Sequence, residues 1–266
     1  MKKYLIAFAA CAFLCACTNK TLDNDPWGKI DPDKTPKQST VVEASMTSSV
    51  MHQTMTYSVW LPKDYDNSKT YPFLYLLHGY EYGDQSRLDR CWLDKGNAAK
   101  IADDYVTGGG VSMVIVMPNG LSSFYMGDYE EYFENELMPK VEADYHCNGK
   151  RAIAGLSMGG HGTLYHALLY PEKFTYAYAM SPYADYVAGE VSNMIAAQPD
   201  VTVFPGFTIE VGKQDYTVNN SLNKSIYNTM KKKGLSCEWI ERDGTHDWPF
   251  WQICLPKALS AAGKSF

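Results

Sequence analysis

Basic charge is scarce in this sequence of 266 residues. Its 24 Lys and Arg residues are outnumbered by 30 Asp and Glu residues, the net charge is −6, and no Lys/Arg-rich cluster is present. Proteins that bind nucleic acid neutralise phosphates with basic patches, so nucleic acid is not an expected partner. Hydrophobic residues make up 45% and charged residues 20%, which is typical of a soluble globular protein with a sizeable core.

The apolar run at the N-terminus, from Tyr4 to Leu14, is too short to span a bilayer comfortably. It follows Lys2 and Lys3 and ends in Leu14-Cys15-Ala16-Cys17, which resembles the lipobox of bacterial lipoproteins. We therefore expect residues 1–16 to be a lipoprotein signal peptide and Cys17 to carry the lipid. An ordinary secretory signal cut nearby is the alternative. Both interpretations place the protein outside the cytoplasm; the first anchors it to a bacterial envelope membrane, periplasmic or at the cell surface, through that lipid alone.

A polar segment follows the predicted signal. Residues 17–38 contain Pro26, Pro32 and Pro36 together with several Asp and Lys residues, a composition that predicts a tether. No internal repeat and no second linker come after it. Residues 39–266 are therefore expected to form one domain.

The cysteine spacing of a zinc site is also absent. Four of the seven cysteines lie in the predicted domain, and none belongs to a Cys-x-x-Cys pair or lies near paired histidines. No metal site is therefore expected. In an exported protein these cysteines could form disulfides, and buried free thiols are equally compatible with the sequence. The four are Cys91, Cys147, Cys237 and Cys254.

Strand-like segments recur through the domain. Val41–Met46 and Met55–Leu61 resemble an opening hairpin, because apolar residues alternate with polar ones in the second segment. Phe73–Leu77 is a continuous apolar run, as expected for a strand buried on both faces. The other predicted strands are Val111–Met117, Ala152–Ala154, Tyr176–Met180, Phe207–Val211 and Cys237–Ile240.

Helix-like segments lie between the strands. Leu222, Ile226 and Met230 recur every four residues, and a second such series runs from Phe133 to Val141, where Pro139 must bend or restart the helix. The alternation predicts an α/β fold with a mainly parallel sheet, an opening antiparallel hairpin and helices on both faces. In such sheets, ligands bind beyond the carboxyl ends of the strands.

A candidate nucleophile follows the strand at Ala152–Ala154. The pentapeptide Gly155-Leu156-Ser157-Met158-Gly159 stands between this strand and a helical stretch that reaches Leu169. Gly-x-Ser-x-Gly in this context is typical of the nucleophile elbow of the α/β-hydrolase fold. The tight turn needs glycines on both sides, and it projects the Ser157 hydroxyl into a cleft.

A serine hydroxyl needs a base and a group that orients the base. His246 follows the last predicted strand and precedes the last helix, where the α/β-hydrolase order of serine, acid and histidine places the base. Asp215 follows the strand Phe207–Val211 and is the favoured acid, with Asp185 as the alternative. Asp247 is too close to His246 in sequence to fold back easily.

The oxyanion hole needs two backbone donors. One is expected to be the N–H of Met158, which follows the nucleophile. The other is expected to be the N–H of Tyr80, in the loop after Leu77-His78-Gly79, and His78 is expected to brace that loop. His161 lies one helical turn after Ser157, and we interpret it as a packing residue.

These residues belong to longer motifs. Together they resemble the esterase D-like group, which includes carbohydrate esterase family one with its feruloyl and acetyl-xylan esterases, and which has mycobacterial mycolyltransferases as distant relatives. The resemblance spans Tyr71 to Leu259 and implies Ser157, Asp215 and His246 as the triad, with oxyanion donors at Tyr80 and Met158. One departure is Met180-Ser181-Pro182, where many relatives have a Gly after the Ser. The matching stretches are LLHGYEYG with Trp92 downstream, VMPNG, FYMGDYEEYFENELMPKVE, KRAIAGLSMGGHG, YPEKF, GKQD and GTHDWPFW.

Aromatic residues make up 14% of the chain, a content compatible with a cleft that stacks on sugar rings or aromatic acyl groups. Trp92, Tyr125 and Trp248 are the candidates for lining the substrate pocket, although each could be core packing instead. Trp251, on the final helix, is expected to be packing.

The predicted function is that of an exported serine carboxylesterase. Its expected substrates are acetyl or hydroxycinnamoyl (feruloyl) esters of plant polysaccharide or oligosaccharides, and the chemistry needs no metal or organic cofactor. One alternative is an acyltransferase, in which a sugar alcohol captures the same acyl-enzyme. Another is a non-catalytic glycan-binding lipoprotein, against which the intact Ser157, Asp215 and His246 argue.

Overall fold

The computed structural model describes residues 38–266. The predicted signal peptide, Cys17 and all of the predicted tether except Gln38 lie outside these residues. The described part contains eight strands: β1 (Thr40–Ser48), β2 (Gln53–Leu61), β3 (Tyr71–Leu77), β4 (Val114–Pro118), β5 (Cys147–Leu156), β6 (Tyr176–Met180), β7 (Gly206–Gly212) and β8 (Cys237–Arg242).

Helices connect most of these strands, and a π-helical turn spans Phe133–Leu137. Within residues 38–266, no helix combines the length and the apolar composition needed to cross a membrane. The α-helices are α1 (Cys91–Asp94), α2 (Ala98–Thr107), α3 (Asp128–Tyr132), α4 (Met138–Asp144), α5 (Met158–Leu169), α6 (Val191–Ala197), α7 (Asn220–Lys232) and α8 (Trp248–Ser265).

The strands form one sheet in the order β1-β2-β4-β3-β5-β6-β7-β8. β1 pairs with β2 in antiparallel register, with Met46 opposite Met55, and β2 is antiparallel to β4. All the remaining neighbours are parallel. The predicted fold class, with its opening hairpin and mainly parallel sheet, is confirmed.

The apolar strands bury side chains on both faces of the sheet. Because successive residues of a strand point to opposite faces, Phe73 and Tyr75 of β3 pack on the side that α4, α5 and α7 cover. Leu74 and Leu76 pack on the side that α2 and α8 cover. The sheet therefore separates two cores, which explains why β3 reads as a continuous apolar run.

The structure tests two predictions about where a strand and a helix begin. The prediction of a strand from Val111 is wrong at its start, because Val111 N–H donates to the Tyr105 hydroxyl and the Ser112 hydroxyl donates to Asp64, before β4 begins. Pro139 lies in the first turn of α4, directly after the π-helical turn. A proline in the first turn needs no N–H partner, so the helix restarts there as predicted.

The cysteines that the sequence left open between disulfides and thiols are free thiols. Cys91, Cys237 and Cys254 are buried and Cys147 is half-buried.

Candidate active site

Ser157 lies at the sharp turn between β5 and α5, with a φ of 54° and a ψ of −115°. Non-glycine residues avoid positive φ, so the surrounding structure must hold the serine in this conformation. The turn also requires its flanking glycines. A Cβ atom on Gly155 would lie 2.4 Å from the carbonyl oxygen of Gly159, and one on Gly159 would lie 2.4 Å from that of Leu77. The predicted elbow geometry is therefore present.

Three side chains that are far apart in the sequence meet above this turn. His246 Nε2 lies 2.9 Å from Ser157 Oγ, and His246 Nδ1 lies 2.7 Å from Asp215 Oδ2. A carboxylate can only accept, so Nδ1–H donates to Asp215 and Nε2 is left to accept from the serine hydroxyl. This tautomer is the one in which the imidazole can take the proton of Ser157.

The carboxylate of Asp215 is fully buried and accepts several hydrogen bonds. Its Oδ1 accepts from the N–H groups of Thr217 and Val218 at 3.0 and 3.4 Å. Burial on its own would raise the pKa of Asp215, but hydrogen bonding and the charge of His246, together with Thr217 N–H and the Ser181 hydroxyl, hold the pKa below its ordinary value. Asp215 is therefore ionised beside the imidazole.

The alternative acids do not reach the imidazole through any hydrogen bond of the described residues. Asp247 is the N-cap of α8, where its Oδ1 accepts from Phe250 N–H at 3.0 Å. Asp185 is exposed, in a short 3₁₀ turn after β6. Of the three candidate acids, Asp215 alone is hydrogen-bonded to His246.

The loop that carries His246 is fixed on both sides. The Gln214 side chain accepts from Gly244 N–H at 2.8 Å, and Gln214 N–H donates to Gly244 O at 3.0 Å. Arg242 donates through Nε to buried Glu210 at 2.5 Å and through Nη2 to Phe250 O at 2.7 Å. These contacts join the loop to the end of β7 and to the first turn of α8.

The candidate oxyanion donors lie on two neighbouring loops. Met158 is the first residue of α5, and Tyr80 follows the β3 loop of His78 and Gly79. Neither amide donates a hydrogen bond to another residue of the 38–266 range, so both are free for an external acceptor. Free N–H groups at a helix start favour negative charge.

His78 braces the loop that carries Tyr80, as the sequence predicted. Its Nδ1–H donates to Gly79 O at 2.6 Å, and its Nε2 accepts from Gly120 N–H at 2.7 Å. Burial lowers the pKa of His78 to about 4, so the ring is neutral at pH 7 and keeps the donor–acceptor pattern that both contacts require.

The structure corrects two of the three predicted pocket residues. Trp92 is 1% exposed and donates its indole N–H to Leu77 O at 2.9 Å, and Tyr125 is 0% exposed and donates its hydroxyl to His78 O at 3.0 Å. A substrate cannot touch side chains that are enclosed in this way, so both are packing residues. Trp248 is half-buried between Trp92 and Trp251, and its role as a pocket residue stays a prediction. Trp251 is buried against the His246 ring, as expected for packing.

Sequence analysis missed a group of partly exposed aromatic side chains beside Ser157. The rings of Tyr80, Tyr183 and Tyr186 lie 6.3, 5.7 and 4.9 Å from that of Phe124. Tyr183 N–H donates to Ser157 O at 3.0 Å, which places the group next to the nucleophile. We call these four residues the aromatic patch. Each follows the carboxyl end of β3, β4 or β6, and that position is the signal that could have found them.

The loop that presents Phe124 has an unusual backbone. Phe124 and Tyr125 both have positive φ values, 53° and 59°; the first ring is half-buried and the second is enclosed. His166 Nε2–H donates to Tyr125 O at 2.9 Å, and its Nδ1 lies 2.6 Å from buried Glu134. This buried pair holds the strained loop in place. No group of three or more His, Cys, Asp or Glu side chains in residues 38–266 is arranged to hold a metal ion.

The strand order is that of an α/β-hydrolase, and so is the position of the serine at the turn after β5. Together with the hydrogen bonds from this serine to a histidine and from the histidine to an aspartate, these features define a protein of the α/β-hydrolase class. Residues 48–262 match the family model named Esterase, with the description "Putative esterase". This match covers most of the chain, so the protein belongs to that family.

Relatives and solved structures agree with the match. An acetyl esterase of Caldicellulosiruptor saccharolyticus is 27% identical over 245 residues, covering 76% of this chain and 85% of that protein. An endo-1,4-beta-xylanase/feruloyl esterase of Xylanibacter ruminicola is 28% identical over 228 residues, covering 79% of this chain and 29% of that protein. A solved ferulic acid esterase has a TM-score of 0.76 and 27% identity, covering 87% of this chain and 100% of that chain. The resemblance predicted from the motifs is confirmed, and the protein is a serine esterase.

Proposed function

We propose that the protein hydrolyses carboxylic esters with Ser157 as nucleophile, His246 as general base and acid, and Asp215 as the group that orients the histidine. The observation that carries the proposal is the unbroken chain of hydrogen bonds from Asp215 through His246 to Ser157, at 2.7 and 2.9 Å. It joins the two loops after β7 and β8 to the turn after β5, and structural packing alone does not require such a chain.

Acylation begins when Ser157 Oγ attacks the ester carbonyl carbon and passes its proton to His246 Nε2. The N–H groups of Tyr80 and Met158 donate to the oxygen that becomes negative in the tetrahedral intermediate. The bond from carbon to the alcohol oxygen then breaks, and the proton on Nε2 goes to that oxygen. Asp215 stays ionised and stabilises the imidazolium that forms in between.

Deacylation repeats these steps with water. His246 Nε2 takes a proton from water as its oxygen attacks the acyl carbon, and the collapse of the second tetrahedral intermediate returns a proton to Ser157 Oγ. The products are a carboxylic acid and an alcohol. Apart from water, the groups used belong to the chain itself.

The proposed substrates are acetyl or hydroxycinnamoyl esters of plant polysaccharide or oligosaccharides. Support comes from the relatives named for acetyl and feruloyl ester cleavage and from the aromatic patch beside Ser157. Incubation with acetylated and feruloylated arabinoxylan, followed by chromatography of the released acids, tests this substrate class. Cleavage of simple aryl acetates without release of acetate or ferulate from the glycan would remove it.

The mechanism has its own test. A fluorophosphonate probe is expected to label the wild-type protein and not Ser157→Ala, and labelling of His246→Ala is expected to be far slower. The control is Ser192→Ala, because Ser192 is exposed on α6 and takes no part in these hydrogen bonds. Labelling that persists in Ser157→Ala would contradict the assignment of the nucleophile.

We further propose that the protein is exported and anchored to an envelope membrane by a lipid on Cys17. Support comes from the two lysines, the short apolar run and the lipobox-like Leu14-Cys15-Ala16-Cys17. Metabolic labelling with a palmitate analogue in a bacterial host is expected to mark the wild-type chain and not Cys17→Ala. Equal labelling of both chains, or of neither, would contradict the anchor.

A further inference from the structure

The Tyr80 amide belongs to the same peptide unit as the Gly79 carbonyl. This unit is trans, and a trans peptide is planar, so its N–H and C=O point in opposite directions and cannot turn separately. Gly79 O accepts from His78 Nδ1–H at 2.6 Å. The contact that fixes this carbonyl therefore also fixes the direction of the N–H that we assign to the oxyanion hole.

A second hydrogen bond acts on the peptide unit before Gly79. The Tyr125 hydroxyl donates to His78 O at 3.0 Å. A Cβ atom on Gly159 would lie 2.6 Å from His78 O, so this unit also lies against the nucleophile elbow. Glycine populates both signs of φ, so the direction of the Tyr80 N–H depends on how the peptide units on both sides of Gly79 are held. The Tyr125 hydroxyl holds the first unit and the His78 ring holds the second.

The Tyr125 ring lies in a slot that two glycines leave open. A Cβ atom on Gly120 would lie 2.5 Å from Tyr125 Cζ, and one on Gly162 would lie 2.6 Å from its Cδ2. The backbone carbonyl of Tyr125 accepts from His166 Nε2–H at 2.9 Å. The hydroxyl therefore reaches His78 O from a ring whose surroundings hold it in place.

The hydroxyl of Tyr125 differs from those of its neighbours in the core. The hydroxyls of Tyr129 and Tyr132 are buried as well, yet neither has a hydrogen-bond partner among residues 38–266. Burial raises the pKa of Tyr125 well above its ordinary value, so its hydroxyl keeps its proton and donates to the carbonyl. Packing alone accounts for Tyr129 and Tyr132 but not for this directed bond.

We propose that Tyr125 is a positioning residue of the oxyanion hole, whose hydroxyl acts through the His78 carbonyl to orient the Tyr80 N–H toward the oxygen that becomes negative. The proposal rests on the proposed esterase function and adds to it a side chain that no substrate touches. An ester carbonyl carries little charge before attack, so a misdirected N–H weakens the transition state more than the bound ester. Acylation and deacylation both pass through such an oxyanion, so both steps depend on Tyr125.

Tyr125→Phe removes only the hydroxyl. Its kcat on 4-nitrophenyl acetate is expected to fall by about 10- to 100-fold, less than the loss of a whole oxyanion donor costs, because the N–H is misdirected rather than absent. Its KM is expected to stay within about twofold of the wild type, because acylation and deacylation slow together. Rates are expressed per active site, counted at the end point of labelling with a fluorophosphonate probe, so that unfolded protein does not contribute.

Two ketones of similar shape separate orientation of the N–H from a general distortion of the cleft. Trifluoroacetophenone forms an adduct in which Ser157 Oγ adds to the ketone carbon, the hydroxyl proton goes to His246 Nε2 and the ketone oxygen becomes negative. Its inhibition constant is expected to rise in Tyr125→Phe by about the factor by which kcat falls. Acetophenone lacks the fluorines that stabilise such an adduct, and its inhibition constant is expected to change by less than about twofold.

Tyr129→Phe is the matched control. Tyr129 is buried beside Tyr125, with the two rings edge to face at 5.2 Å, and loss of its unpartnered hydroxyl is expected to leave kcat and both inhibition constants unchanged. A Tyr125→Phe variant with the kcat of the wild type would overturn the proposal, and so would one that binds both ketones equally more weakly. In either case the esterase function stands. A wild type that neither reacts with the probe nor cleaves 4-nitrophenyl acetate would instead remove the proposed function.

Discussion

Gln214 and Gly244 exchange two hydrogen bonds, one from Gly244 N–H to the Gln214 side chain at 2.8 Å and one from Gln214 N–H to Gly244 O at 3.0 Å. Gln214 directly precedes Asp215, and Gly244 lies two residues before His246. These two hydrogen bonds therefore join the loop that carries Asp215 to the loop that carries His246. A Cβ atom on Gly212 would lie 2.3 Å from Gly244 O, so the two loops are also in close contact.

Gln214→Met is expected to lower kcat by about tenfold with little change in KM, because small displacements of catalytic groups slow chemistry more than they weaken binding. Methionine has a similar length but cannot accept the Gly244 N–H bond through an oxygen. Lys232→Met is the control, since Lys232 is exposed at the end of α7. Initial rates on 4-nitrophenyl acetate give kcat for each variant. Equal kcat values for Gln214→Met and the control would show that the Gln214–Gly244 pair does not position the catalytic residues.

Asp215→Asn is expected to lower kcat by about 10³–10⁴-fold without unfolding the protein. The Asn carbonyl can keep the bonds from Thr217 and Val218 N–H, which turns its NH₂ group toward His246 Nδ1. Two donors then face each other, so the imidazole changes tautomer and Nε2 can no longer accept the Ser157 proton. Asp185→Asn is the matched control and is expected to stay within about twofold of the wild type. A large loss in the control, or a small one in Asp215→Asn, would point to Asp185 as the acid.

Acid is expected to destabilise the protein through His78 and His161. Both have a pKa of about 4 in the folded chain, below the ordinary 6.5, because burial disfavours the charged ring. Their contribution to the free energy of unfolding is complete above pH 6.5, is lost as the pH falls toward 4, and changes little below that. Each histidine contributes about 3 kcal/mol to this loss.

Urea denaturation between pH 7 and pH 4 measures the effect. His161→Leu is expected to flatten the decline relative to the wild type, whereas His52→Asn, at an exposed hairpin position, is expected to leave it unchanged. Carboxylates such as Asp215, whose pKa is lowered, add their own loss in acid in all three proteins, so the difference between variants isolates the histidine. Parallel curves for the wild type and His161→Leu would disprove the contribution of His161.

Arg242→Met is expected to lower the free energy of unfolding by about 3 kcal/mol, because it leaves the Glu210 carboxylate buried with one cation fewer. Glu210 is fully buried and keeps only Lys257 as a charged partner in this variant. Lys100→Met breaks an exposed pair with Asp104 and is expected to cost less than about 1 kcal/mol. Thermal or urea denaturation compares the two. Similar losses of unfolding free energy would show that the Arg242–Glu210 pair stabilises the protein no more than a surface ion pair does.

Much of the fold follows from the sequence because its strands are apolar on both faces. Runs such as Phe73–Leu77 predict their strands well, since a short continuous apolar run is what a strand buried on both faces requires. Helix α2 was not predicted, because it buries Ala98 and Ala102 rather than large apolar side chains. Helix α6 is only seven residues long, so its pair of Val191 and Ile195 gives too short a period to recognise.

The hydrogen-bonded residues of the site were predictable because each follows the end of a strand, and the carboxyl ends of parallel strands share one edge of the sheet. The aromatic residues were not. Phe124 and Tyr125 are neighbours, yet the first ring is half-buried and the second is enclosed. The backbone of this loop is held by His166, which pairs with Glu134; both are distant in sequence, so no local pattern could reveal which ring is enclosed.

The neutral ring of His78 links two loops that serve different purposes. Through Gly79 it holds the segment of the Tyr80 amide, and through Gly120 it holds the segment that leads to Phe124. The segment of the Tyr80 amide and the segment that leads to Phe124 therefore cannot shift independently, because a move of either one breaks a hydrogen bond of the same imidazole.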